Sequence, residues 1–159
     1  MEDKMIKIEN PRSVEYQHRY IFPNGRDEFT YTWKPSTEKM AIVVPVPEYV
    51  YVDIRDNTTA FRKGKLKIAK VEEDEQVKEE IEYLTEDVKV YTVKEITELL
   101  NGNINKLKKE LTKDTDKSII QDFARVAKDI KLDSRTKLAY LSELMGVEDL
   151  EYVFPQEEN

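Results

Sequence analysis

Val14-Glu15-Tyr16-Gln17-His18-Arg19-Tyr20-Ile21-Phe22 and Glu28-Phe29-Thr30-Tyr31-Thr32-Trp33 both alternate along the chain, and Pro23-Asn24-Gly25-Arg26 separates them. Successive side chains of a strand point to opposite faces, so the first run gathers Val14, Tyr16, His18, Tyr20 and Phe22 on one face. The second gathers Phe29, Tyr31 and Trp33. Two alternating aromatic runs around a Pro-Asn-Gly turn read as an antiparallel hairpin.

Outward from the hairpin, residues 5–69 continue to read as β. Met40-Ala41-Ile42-Val43-Val44 is an unbroken apolar run, as expected of a strand covered on both faces. Pro45 and Pro47 require it to end there or lie at a sheet edge, because proline cannot donate to a ladder. Glu48 to Ile54 reads two ways: Val and Tyr favour a strand, whereas Pro47 before Glu48 could open a short helix. Lys65-Leu66-Lys67-Ile68 after Gly64 reads as a closing strand.

Residues 70–89 hold nine acids against three lysines and few apolar side chains, chiefly Val71, Val77, Ile81 and Leu84. Such a stretch is a disordered linker or a solvated helix, and the linker is the preferred reading. From Thr92 the apolar period becomes helical. Thr92-Val93-Lys94-Glu95 is a capping box, with Val93, Ile96, Leu99 and Leu100 in one stripe before Asn101-Gly102. Ile104, Leu107 and Leu111 make a second stripe. Ile119, Ile120, Phe123, Val126, Ala127 and Ile130 make a third after Asp116. Leu138, Leu141, Leu144 and Met145 make a fourth after Asp133-Ser134.

The expected fold is therefore α+β. A small N-terminal antiparallel β domain (1–69) precedes an acidic linker (70–89), a bundle of about four short helices (90–147) and an acidic tail (148–159).

The inventory excludes much chemistry. There is no cysteine, His18 is the only histidine, and the four glycines are far apart in a chain of net charge −7. Thiolate catalysis, disulfides and cysteine zinc sites are ruled out, and a two-histidine metal site needs a second histidine. Dispersed glycines offer no phosphate-cradling loop. His18, mid-strand among tyrosines, reads as a partly buried, hydrogen-bonded side chain. The expectation is a protein with no catalytic residues, no cofactor and no metal. No window is long and apolar enough to span a membrane. The first ten residues lack a signal-peptide pattern, which leads us to expect an intracellular product.

Two surfaces remain as candidates. The aromatic hairpin face offers Tyr16, Tyr20, Phe29, Tyr31 and Trp33 to a partner, against its alternative role as the core of the β domain. Residues 103–140 hold ten Lys and Arg against six acids. Within them Lys106, Lys109, Lys113, Arg125, Lys128, Arg135 and Lys137 form a candidate basic face that could contact phosphates.

Thr92-Val93-Lys94-Glu95-Ile96-Thr97-Glu98-Leu99-Leu100, Ile104 to Leu111, and Arg135 to Val147 resemble the small C-terminal domains of bacteriophage accessory proteins. Part of this pattern is similar to helix–extension–helix modules, a group of nucleic-acid and peptide binders. Val44 to Asn57 is similar to a Val-Pro element in small proteins encoded beside phage capsid genes. The resemblance implies a virion accessory role such as capsid decoration, on the particle surface after synthesis in the bacterial cytoplasm. It implies the major capsid protein, or another virion protein, as partner of the β domain. Nucleic acid bound by the basic helices is the alternative, a homo-oligomer is compatible with either, and no membrane partner is expected.

Overall fold

The computed structural model describes residues 4–85, 89–147 and Phe154. The chain divides into two compact units, Met1–Val90 and Tyr91–Asn159. The architecture is α+β: among the described residues the first unit holds two small antiparallel sheets and the second holds four helices.

In the first unit, β1 (Met5–Asn10) lies between β4 (Ile42–Pro47) and the short β5 (Lys67–Ile68), both antiparallel to it. β2 (Tyr16–Ile21) and β3 (Glu28–Trp33) form the hairpin, with Tyr16 opposite Trp33, His18 opposite Tyr31 and Tyr20 opposite Phe29. Gly25 supplies the positive φ of 70° that its turn requires. β4 runs through Pro45 and Pro47 because it is an edge strand, where their missing N–H groups face away from β1. The ambiguous stretch that follows is a helix, α1 (Glu48–Asn57), with Val50, Tyr51 and Ile54 buried. Its three apolar positions recur at helical spacing, and that spacing outweighs the β-leaning composition.

The acidic stretch differs most from its expected form. Glu75–Leu84 is a helix, α2, in place of a linker. Asp74 caps it, accepting from the Gln76 and Val77 amides. Lys4, hydrogen-bonded to Asp74, together with those amides holds the Asp74 carboxyl below the usual range. Val77 and Ile81 enter the same core as Ile6, Ile8, Trp33, Val46 and Phe61. Two apolar residues one turn apart suffice to dock a helix whose other faces are solvated. Val90, at the end of this unit, lies close against Gly64: with φ 69°, a Cβ there would stand 2.8 Å from a Val90 methyl. The first unit thus extends through the acidic stretch and beyond the expected boundary at residue 69.

The second unit holds α3 (Val93–Asn101), α4 (Ile104–Glu110), α5 (Lys117–Asp129) and α6 (Arg135–Leu144). The capping box at Thr92 and Glu95 forms as read. Asp116 caps α5, whose Ile120, Phe123, Val126 and Ala127 are buried. Leu100, Leu107, Leu111, Phe123 and Leu141 are fully enclosed at the centre. The expected acidic tail at 148–159 lies outside the described residues except for Phe154, which packs into this helical core.

Trp33 is the only tryptophan and sits in the first core, so its fluorescence reports that unit alone. Ile81→Ala removes a side chain that is 5% exposed and lowers the stability read by Trp33 in urea unfolding by about 2–4 kcal/mol. Glu82→Ala, at an exposed position of the same helix, shifts it by less than about 0.5 kcal/mol.

Candidate binding surface

Directly opposed residues of an antiparallel pair share a face, so the register places Tyr16, His18, Tyr20, Phe29, Tyr31 and Trp33 together. That face is graded along its length. At the root, Trp33 is fully buried and its indole N–H donates to the Ile8 carbonyl at 3.0 Å. The Tyr16 ring meets Trp33 edge-on, with centroids 5.9 Å apart, and burial pushes the Tyr16 phenol up. In the middle, His18 is 7% exposed and its Nε2 lies 2.8 Å from Asp53 Oδ2 on α1. The other Asp53 oxygen accepts from Asn57.

At the tip the face opens. Tyr20, Phe22 and Tyr49 form one cluster of rings, with Tyr20 5.2 Å from each of the other two. Phe29 and Tyr31 stack edge-on at 4.7 Å. Phe29 is 54% exposed, Tyr49 39%, and Ile21, which alternation places on the opposite face, 53%. The Arg19–Glu28 pair and Arg26 supply polar groups at this end.

The five aromatic candidates therefore separate. Tyr20, Phe29 and Tyr31 reach the open end, whereas Trp33 is core and Tyr16 is half-buried against it. The reason is positional: the root of the hairpin is bonded to β1 through Trp33, whereas Phe29 near the tip is exposed. Tyr49 belongs to the surface but comes from the first turn of α1, which the hairpin's alternation does not reveal.

The seven basic candidates do not act alike either. Arg125 Nη1 is 2.7 Å from Asp122 Oδ1. Lys137 Nζ donates to the Leu100 carbonyl at 2.6 Å, which caps the C-terminal end of α3. Lys128 Nζ stands 5.9 Å from the centroid of the Phe154 ring. Lys106 and Lys109 are exposed on α4, Lys113 follows that helix, and Arg135 is exposed at the start of α6. Three of the seven thus serve the internal structure of the helical unit.

A third feature lies between α1 and α2, an open cleft of about 840 Å³ lined by Arg55, Asp56, Arg62, Glu80 and Tyr83 among others. Its floor is occupied by its own charges. Tyr51 and Arg55 both donate to Glu80 Oε2 at 2.8 Å, and Arg55 also pairs with Asp56. Burial and the bond to Glu80 hold the Tyr51 phenol well above its usual range. This network clamps α2 onto α1. Among the described residues no group of His, Asp and Glu could hold a metal ion, and no helix is long and apolar enough to cross a membrane.

Residues 4–86 match the YonA N-terminal domain, and residues 92–152 match the YonA C-terminal domain. The chain belongs to the YonA family, which makes it a phage-type protein. The two matches meet where the two compact units meet, near residue 90. No curated protein and no solved structure matches the chain.

The grading of the aromatic face has a direct consequence for stability. Trp33→Ala costs about 3–5 kcal/mol in chemical denaturation followed by circular dichroism. Phe29→Ser, on the same face at the exposed end, costs less than about 1 kcal/mol.

Proposed function

We propose that the protein is a non-enzymatic structural component of a tailed-phage particle, a head accessory or capsid-decoration protein. In this reading the first unit docks on the major capsid protein through the open end of its hairpin. The observation that carries it is the exposed cluster at that end: Phe29 and Tyr49 stand out beside the half-buried Tyr20, Phe22 and Tyr31, in a protein that is otherwise strongly charged. Aromatic residues that fill such a patch are the usual energetic centre of a protein interface. Membership of a phage-type family supports the setting. In the same reading the one histidine, enclosed and turned toward Asp53, joins the hairpin to α1. A nucleic-acid role for the helical unit has less behind it, since Arg125, Lys128 and Lys137 have partners within that unit.

Co-sedimentation with preformed capsids that lack the protein tests the proposal. The wild-type protein is retained and raises the capsid melting temperature, and the double variant Phe29→Ser/Tyr49→Ser binds at least about tenfold more weakly. Absence of retention, or equal retention of the double variant, contradicts it. Retention on DNA that falls steeply with salt, without retention on capsids, favours the basic helices instead.

A further inference from the structure

The first unit treats its strand edges in two different ways. Opposed residues in an antiparallel pair alternate between those that exchange hydrogen bonds and those whose N–H and C=O point away. On β4 the Glu48 amide donates to the Lys4 carbonyl, so in this register Ile42, Val44 and Val46 bond to β1 while Val43, Pro45 and Pro47 face outward. Two of the three outward positions are prolines, which have no N–H to offer another strand. On the other side of β1 the outward groups of Lys7 are both taken. Its amide donates to Glu72 Oε2 at 2.5 Å, and its carbonyl accepts from Ala69.

The hairpin carries no such protection. The Phe22 amide donates to the Asp27 carbonyl, so in this register Tyr20, Phe29, His18 and Tyr31 bond across the pair. Glu28, Thr30 and Thr32 then turn their backbone groups outward along β3. All three residues are exposed. The edge has no proline within it and no lysine, and α1 packs on the aromatic face of the hairpin through His18 and Tyr20.

We propose that β3 pairs with β3 of a second copy of this chain, antiparallel about a twofold axis at Thr30, to make a four-stranded sheet. The segment Glu28-Phe29-Thr30-Tyr31-Thr32 is complementary to itself in this register. Glu28 lies opposite Thr32 of the second copy, Phe29 opposite its Tyr31, and Thr30 opposite its Thr30. Aromatic and threonine pairs of this kind favour pairing, and within these five residues no like charges are placed opposite each other. Glu28 keeps its partner Arg19 on β2. The pairing is isologous and therefore closes at two copies. It would place the two aromatic faces side by side on one sheet, doubling the exposed apolar surface.

Sedimentation velocity from about 1 to 500 μM gives the first readout, with a concentration-dependent dimer expected. Thr30 is exposed, so Thr30→Glu and Thr30→Lys keep the fold, which circular dichroism verifies. Each places a like charge opposite itself and weakens the dimer by about fivefold or more. An equimolar mixture of the two variants restores it as a heterodimer. A wild-type protein that stays monomeric across this range overturns the proposal, as does a dimer that neither variant weakens or one that the mixture fails to restore. Capsid retention is a separate readout, so either proposal can fail without the other.

Discussion

The indole N–H of Trp33 and the side chain of Asn10 tie the hairpin to the β1–β4 sheet. Trp33 donates to Ile8 in the middle of β1. Asn10, 1% exposed, donates to the Val14 and Lys34 carbonyls and accepts from the Arg12 amide. Ser36 completes the junction by donating to the Asn10 carbonyl and accepting from the Ile42 amide. A two-stranded hairpin alone is marginal in water, so its order depends on this buried root. Once the root is held, the remaining length of β2 and β3 carries the same aromatic face out of the core. Burial at Trp33 and exposure at Phe29 are therefore two ends of one construction.

The other elements of the first unit reinforce that placement. His18 reaches Asp53, and Tyr20 packs on Tyr49, so α1 supports the hairpin from its aromatic side. α2 in turn is held on α1 through Glu80, which receives Tyr51 and Arg55. Glu72 fixes the chain ahead of α2 by bonding to the Lys7 amide. Acids that composition marks as solvated thus perform local structural work: Glu72 closes a strand edge, Asp74 caps a helix, and Glu80 joins two helices.

Much of this was legible where the signal is local. The hairpin follows from period-two alternation around a turn, and α3 from a capping box within four residues. α2 was hidden because its support is distant, with the Glu72–Lys7 bond spanning 65 positions and the Arg55–Glu80 bond 25. Against that background Val77 and Ile81 looked too sparse to anchor a helix. The binding surface was legible as a face but not as a boundary. Alternation identifies Tyr16, Tyr20, Phe29, Tyr31 and Trp33 as neighbours, yet only tertiary structure shows that Trp33 is core. Tyr49 carried no such signal, because it joins the surface from another element. The basic residues show the reverse case, since charge density alone does not reveal that Arg125 and Lys137 already have partners.

The proposed role puts the contact with a capsid at the open end of the hairpin. Hydrogen–deuterium exchange of the protein free and bound to capsids tests it residue by residue. Added protection on binding is expected to concentrate in residues 20–31 and around Tyr49, with the helical unit unchanged. Protection confined to residues 103–140, or none in the hairpin, would contradict it.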